Sequence, residues 1–187
     1  MQGLSLRSKA LGIASVIALL AVGITLARPA ADAGAATFAT CTTSSLAVRT
    51  GMTTTAMGTV AEELGFVNRG EKTCSLRGYP HIQMLNASGK PLKTTDHTAP
   101  GAFGIEVTTV NLAPGATAYF GLVYHNQTGF AKLTCPTSAA LSISPPHSAV
   151  AITLRGSDAR IEAFSGTIVR LVCGVLRVTA VTAKSFQ

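Results

Sequence analysis

The sequence predicts an all-β protein, an antiparallel β-sandwich that follows an N-terminal signal segment. Beyond residue 36, no stretch keeps the apolar repeat of a helix. Short alternating or β-branched runs are instead separated by Gly, Pro and Asn, at the spacing typical of sandwiches. Charged residues make up 12% of the chain, so the surface must owe its polarity to Thr, Ser, Asn and Gly.

The N-terminus has the parts of a secretory signal. Arg7 and Lys9 precede an uncharged apolar run over 10–27, and small residues follow at 30–36. We therefore assign residues 1–36 to a signal peptide and residues 37–187 to the β-sandwich domain. The apolar run is also long enough for a membrane helix, so an uncleaved anchor is the alternative. The domain alone has twelve basic and seven acidic residues, a net charge of +5.

The domain divides into eight or nine predicted strands, each bounded by turn residues. We expect strands at 46–50, 59–67, 81–85, 105–112, 116–124, 140–144 and 150–155, with a long final strand or bent pair at 167–182. A turn at 86–89 leads into residues 90–93. Glu62 and Glu63 leave a helical turn as the alternative in the second run. Residues 95–104 are predicted to be a loop.

The final strand contains an irregularity. Unbroken alternation from Leu171 and Cys173 would point Arg177 toward the core. A bulge at Gly174 would shift the register and turn Leu176 and the alternate residues after it inward. We therefore predict a bulge at Gly174.

All four cysteines lie beyond the signal segment, and an even number in an exported chain predicts disulfides. Four cysteines allow three pairings, and strand order favours one of them. A hairpin of the first two strands would bring Cys41 to Cys74. Antiparallel pairing of 140–144 with 167–172 would bring Cys135 to Cys173.

The sequence offers no catalytic site. It contains no Gly-x-Ser-x-Gly elbow, and the adjacent Asp96 and His97 should point apart. The four histidines are scattered through the domain: His81, His97, His125 and His147. We assign no catalytic residue, metal or cofactor. A copper site using His81 with Met52 or Met57 is the alternative, because exported sandwiches often carry copper.

Basic residues crowd one predicted loop. Arg69, Lys72 and Arg77 lie between the second and third predicted strands, and Lys93 could return to the same end. They would form an anion-binding rim suited to acidic polymers, whereas solvated loop charge is the simpler interpretation. The rim lacks the interleaved aromatic residues of a nucleic-acid surface.

Three segments resemble a known family. They read Phe-Val-Asn-Arg-Gly at 66–70, Thr-Cys-Ser-Leu-Arg-Gly-Tyr-Pro at 73–80 and Leu-Ala-Pro-Gly-Ala-Thr-Ala at 112–118. With Cys135 and Cys173, they resemble the actinobacterial exported proteins grouped as the domain of unknown function 4232 family. The resemblance implies an immunoglobulin-like antiparallel β-sandwich, lipid-anchored or secreted, with no established activity. This chain lacks a cysteine placed for lipid attachment, which suggests a secreted or signal-anchored member.

The family motifs also have a physical interpretation. Gly78 would supply a turn beside a disulfide, Tyr79 a ring for the core, and Pro80 a stiff entry to the next strand. The second motif contributes three further structural residues, Leu112, Pro114 and Gly115. These residue types are typical of a turn held by a disulfide and not of a catalytic site.

We therefore expect an exported, non-enzymatic interaction module of the cell envelope. Its partner would be an envelope protein or an anionic cell-wall polymer, with no nucleic acid and no membrane contact except through an uncleaved signal. Binding or delivery of copper in the envelope is the alternative function.

Overall fold

The computed structural model describes residues 37–125, 135–155 and 171–186. Within these ranges the chain forms ten strands and two short 3-10 helices. None of the described helices is long and apolar enough to span a membrane. The predicted signal at 1–36, residues 126–134 and residues 156–170, which include the beginning of the last predicted strand, lie outside the described residues.

The strands form three sheets, and every pair is antiparallel except β10–β5. The strands are β1 (Leu46–Ala56), β2 (Thr59–Asn68), β3 (Cys74–Arg77), β4 (His81–Leu85), β5 (Thr95–Thr98), β6 (Thr109–Leu112), β7 (Thr117–His125), β8 (Ala140–Ser144), β9 (Ile152–Arg155) and β10 (Val175–Val178). The largest sheet has the order β1-β2-β7-β10-β5. The other two are β3-β6 and β4-β8-β9.

Alternate residues of all three sheets build a single hydrophobic core. Leu64 and Phe66 of β2 are fully buried. Phe66 stacks on Phe120 of β7 with ring centroids 5.0 Å apart. Ile82 of β4 and Leu112 of β6 come to the same core from the smaller sheets. The predicted all-β antiparallel sandwich is confirmed.

The first two strands form a long hairpin. Met57 and Gly58 at its tip both have positive φ (49° and 78°), which suits the right-handed twist of a two-residue turn. Gly51 and Met52 form a bulge between the pairs Thr50–Leu64 and Thr53–Glu62. The bulge lets β1 continue to residue 56, whereas the sequence predicted its end at residue 50.

Several predicted strands agree with the structure and others do not. The strands at 59–67, 81–85, 116–124 and 140–144 are confirmed, and the helical alternative at Glu62 and Glu63 is wrong. The predicted loop at 95–104 contains β5, and β3 was not predicted. Residues 90–93 form only a bridge between Pro91 and Leu85. The strand predicted at 105–112 begins at Thr109.

The predicted irregularity in the last strand is present. Cys173 and Gly174 both have positive φ (69° and 71°), so two residues form a turn where one bulged residue was expected. Leu176 and Val178 are fully buried beyond this turn, and Arg177 is exposed.

Both favoured disulfides form. Cys41 is joined to Cys74 and Cys135 to Cys173, with Cα separations of 4.9 Å and 4.4 Å. The second disulfide lies beside an isolated antiparallel bridge between Thr137 and Val172. The strand pairing predicted for 140–144 is wrong, because β8 lies between β4 and β9 and pairs with both of them. Two disulfides indicate an oxidising environment outside the cytosol.

Candidate binding groove on the five-stranded sheet

The family motifs meet at Asn68, whose side chain is fully buried at the end of β2. Its Nδ2 donates to the carbonyl oxygens of Lys72 and Leu112, each at 2.9 Å. Its Oδ1 accepts from the amide of Gly70 at 2.9 Å. The Gly115 amide donates to the Asn68 carbonyl at 2.7 Å. The Asn68 side chain and backbone therefore link the Leu-Ala-Pro-Gly turn to the loop before β3.

The Gly-Tyr-Pro motif forms the corner between β3 and β4. Gly78 has a φ of +106°, as expected for a turn glycine. Its carbonyl accepts from the amide of Val181 at 2.9 Å. Tyr79 is half-buried and Pro80 is buried directly before β4. Through this hydrogen bond the corner holds the segment that follows β10.

The four basic residues of the predicted rim occupy three places. Arg69 and Lys72 share the loop between β2 and β3. Arg77 lies at the far end of β3, about 10 Å from Cys74 at 3.3 Å per strand residue. Lys93 lies beside Gly174, because a Cβ at Gly174 would overlap the Lys93 carbonyl oxygen. Only Arg69 and Lys72 therefore share a loop.

The histidines are also dispersed. His81 Nδ1 lies 2.8 Å from Asp96 Oδ2, which also accepts from the Ile82 amide at 2.8 Å. His125 bonds Thr59 at 3.3 Å, and His97 is exposed on β5. Among the described residues, no three His, Cys, Asp or Glu side chains are grouped to hold a metal ion.

The copper alternative draws on residues in different parts of the fold. His81 begins β4 and pairs with Asp96, whereas Met57 is fully exposed at the hairpin tip. Met52 is 55% exposed and lines a groove on the five-stranded sheet. No described contact joins His81 to either methionine.

The groove lies on the face of the sheet that points away from the core, and it has a volume of about 220 Å³. Strand alternation places Ala61 and Glu63 of β2 and Gly121 and Val123 of β7 on this face. Its lining includes Met52, Thr54, Ala61, Glu63, Phe103, Val123 and Phe186. Most of this lining is apolar.

Two aromatic rings lie over Gly121 at one end of the groove. Phe103 and Phe186 have ring centroids 5.8 Å apart. A Cβ on Gly121 would meet Phe103 at 3.5 Å and Phe186 at 3.6 Å. Phe103 is 60% exposed and has a φ of 57°, which is rare for a bulky residue and often marks a functional position.

Glu63 is the polar group of the groove. It is only 6% exposed, and its side chain lies over Gly51 of the β1 bulge. Its Oε2 accepts from Ser185 Oγ at 2.8 Å and from the Phe186 amide at 2.6 Å. A single carboxylate oxygen therefore holds the last described residues of the chain.

Glu62, the neighbour of Glu63, points to the opposite face and is 3% exposed. Thr53 Oγ1 donates to its Oε1 at 3.4 Å, and no described residue bonds its buried Oε2. Burial raises the pKa of Glu62 to about 7, against the weaker lowering effect of Thr53. Burial and the charge of Glu62 together raise the pKa of Tyr124 to about 12.

The groove was not predicted from the sequence. The one available signal was the pair Glu62 and Glu63 inside a strand pattern, because two carboxylates on opposite faces of a central strand both need an explanation. In the sequence, the two residues only left a helical turn as the alternative to the second predicted strand. Phe103 and Phe186 carried no signal, since nothing in the pattern links residues 83 positions apart.

Comparison with known proteins identifies a family without a known role. No curated protein and no solved structure was found to match the chain. The sequence matches the family described as domain of unknown function (DUF4232) over residues 41–182. This match includes both disulfides, the Asn68 junction and the Gly-Tyr-Pro corner. Because the match spans well over half of the sequence, the chain belongs to the DUF4232 family.

Proposed function

We propose that the protein is an exported, non-enzymatic binding module of the cell envelope, which holds a protein partner in the groove on its five-stranded sheet. The groove itself is the observation that carries the proposal. Exposed apolar side chains, Met52 and Phe103, lie beside a largely buried carboxylate, Glu63. An apolar cleft with a few convergent polar groups is the usual form of a binding site.

A protein partner fits this groove better than an anionic polymer does. Glu63 would repel acidic groups, and the basic residues with which a polymer could pair are spread over three places. An apolar lining and an acceptor for N–H or O–H donors instead suit a peptide chain. The disulfides support a site of action outside the cytosol.

Two matched variants test the proposal. Met52→Lys places a charge in the groove, whereas Met57→Lys places the same charge at the exposed hairpin tip. Immobilised residues 37–187 would be incubated with envelope extract, and the captured proteins compared by mass spectrometry. We expect a partner that is retained by the unaltered domain and by Met57→Lys and lost with Met52→Lys.

Other outcomes would point elsewhere. Equal capture by the two variants would move the binding surface away from the groove. Capture of acidic polymer that is lost with Arg69→Ala and Lys72→Ala would favour the polymer hypothesis. Stoichiometric copper in protein purified without added metal would replace the binding module with the metal-delivery alternative.

A further inference from the structure

The C-terminal segment enters the groove as a bound peptide would. Thr182 exchanges two backbone hydrogen bonds of 2.8 Å with Tyr119 on β7. The chain then passes over β7 to reach Glu63 on β2, where Ser185 and Phe186 bind. Lys184, between these contacts, is exposed. The contacts of the segment beyond Thr182 are thus concentrated in two adjacent residues.

Those two residues offer three recognisable groups. The Ser185 hydroxyl and the Phe186 amide both donate to the same oxygen of Glu63. The Phe186 ring lies over Gly121 and packs beside the Phe103 ring. A hydroxyl residue followed by an aromatic residue can therefore donate hydrogen bonds to Glu63 and place its ring over Gly121 beside Phe103.

The segment fills only part of the groove. About 220 Å³ of the groove stays open, and its lining includes Met52, Ala61 and Val123 as well as Phe186. A ligand longer than Ser185–Phe186 could use this space. The lining there is apolar, so the additional contacts would come from apolar side chains.

We propose that the groove is a peptide-recognition site and that Ser185–Phe186 is its internal ligand. The ligand class is an extended protein segment in which Ser or Thr precedes an aromatic residue, with apolar residues next to the pair. Because the internal ligand is tethered, its effective concentration is in the millimolar range typical of short linkers. A partner segment must displace it, and the tail therefore lowers the apparent affinity. This inference rests on the proposed function of the groove as a binding site.

Truncation gives the direct test. A fluorescent peptide with the sequence of residues 182–187 would be titrated with residues 37–187 and with a variant that ends at Ala183. The variant keeps the Thr182–Tyr119 pair and loses Ser185 and Phe186. Fluorescence anisotropy should show binding at least tenfold tighter to the truncated variant, because the tethered competitor is gone.

Matched peptides and a second protein variant define the outcomes. Peptides carrying Ser185→Ala or Phe186→Ala should bind the truncated protein at least fivefold more weakly. Glu63→Gln in the truncated protein should weaken binding of the unaltered peptide. If truncation prevents folding, Phe186→Ala in the full-length domain uncovers the same surface over Gly121. This variant should show the same increase in peptide affinity. A folded, truncated protein that does not bind the peptide, or binds the altered peptides equally, would overturn the inference.

Failure of this inference can be separated from failure of the proposed function. If the tail peptide does not bind but Met52→Lys still abolishes capture of a partner, the groove binds a ligand of another class. If the tail peptide binds the truncated protein but Met52→Lys and Met57→Lys capture the same proteins, the tail is a structural clasp and the proposed function fails.

Discussion

At the scale of single residues, two buried polar side chains of β2 behave in opposite ways. Asn68 has hydrogen-bond partners for both of its polar atoms, whereas Glu62 leaves one carboxylate oxygen without a described partner. A buried amide with all its hydrogen bonds formed stabilises the folded state. A buried carboxylate without a hydrogen-bond partner destabilises the folded state when it is ionised. The two residues therefore give predictions of opposite sign.

Glu62 should make the domain less stable as the pH rises. Its folded pKa of about 7 lies above the ordinary value of 4.5 that applies when the chain is unfolded. The stabilising contribution of the neutral form is thus complete below pH 4.5 and is lost as the pH rises through 7. Each pKa unit corresponds to about 1.4 kcal/mol, so the free energy of unfolding should fall by about 3 kcal/mol between pH 4.5 and 8.

Denaturant unfolding at several pH values measures this loss. Glu62→Gln should remove most of the pH dependence and raise the stability at pH 8. Glu71→Gln, at an exposed loop position, serves as the control and should leave the pH dependence in place. An unchanged pH profile in Glu62→Gln would contradict the assignment.

Removal of the Asn68 side chain should be strongly destabilising. Asn68→Ala leaves two carbonyls and one amide without their partners, at about 1–3 kcal/mol for a buried group that loses its bond. We expect a total loss of about 3 kcal/mol in the free energy of unfolding, measured by chemical denaturation. Asn111→Ala, on the exposed face of β6, should change it by less than about 0.5 kcal/mol.

At the scale of elements, the alternation of apolar and polar residues predicted the strands that bury one face. It missed strands that have no apolar face. β5 consists of Thr-Asp-His-Thr at the edge of the sheet, so its sequence has no apolar face to detect. β3 is only four residues long and begins with a cysteine, which hid its two-residue period. The Cys41–Cys74 disulfide was predictable because the β1–β2 hairpin brings the two cysteines together. The Cys135–Cys173 disulfide was predicted correctly from a strand pairing that does not form, because β8 pairs with β4 and β9. The groove was not, because it joins distant segments through tertiary contacts alone.

Substitution of Gly174, in the turn before β10, tests whether this turn is packed tightly against the Lys93 segment that leads into β5. Gly174 and Gly115 both have positive φ (71° and 79°). A Cβ at Gly174 would overlap the Lys93 carbonyl oxygen, whereas at Gly115 it would meet nothing within 4 Å. Gly115→Ala should therefore cost about 1 kcal/mol for its backbone conformation alone.

Gly174→Ala should cost at least about 3 kcal/mol, because the backbone around Lys93 must also shift. Thermal unfolding followed by circular dichroism would compare the two variants. Equal losses of stability would mean that the Lys93 segment moves aside freely and that β5 is not held by this contact.

At the scale of the whole molecule, the two disulfides close loops of 33 and 38 residues within the single core. In the chain-entropy model, each bridge of this length contributes about 3–4 kcal/mol. Replacing either pair by alanine should lower the free energy of unfolding by that amount. Denaturant titrations of the two double variants would measure it. A loss below about 1 kcal/mol would show that the unfolded chain is already compact without the bridge.

The unequal exposure of three methionines gives the groove a built-in reporter. Met57 is fully exposed, Met52 is 55% exposed within the groove, and Met84 is fully buried. Dilute peroxide should therefore convert Met57 to its sulfoxide first and leave Met84 untouched. The rate at Met52, referred to Met57 in the same digest, would report whether anything occupies the site, without a label or a prior guess at the ligand.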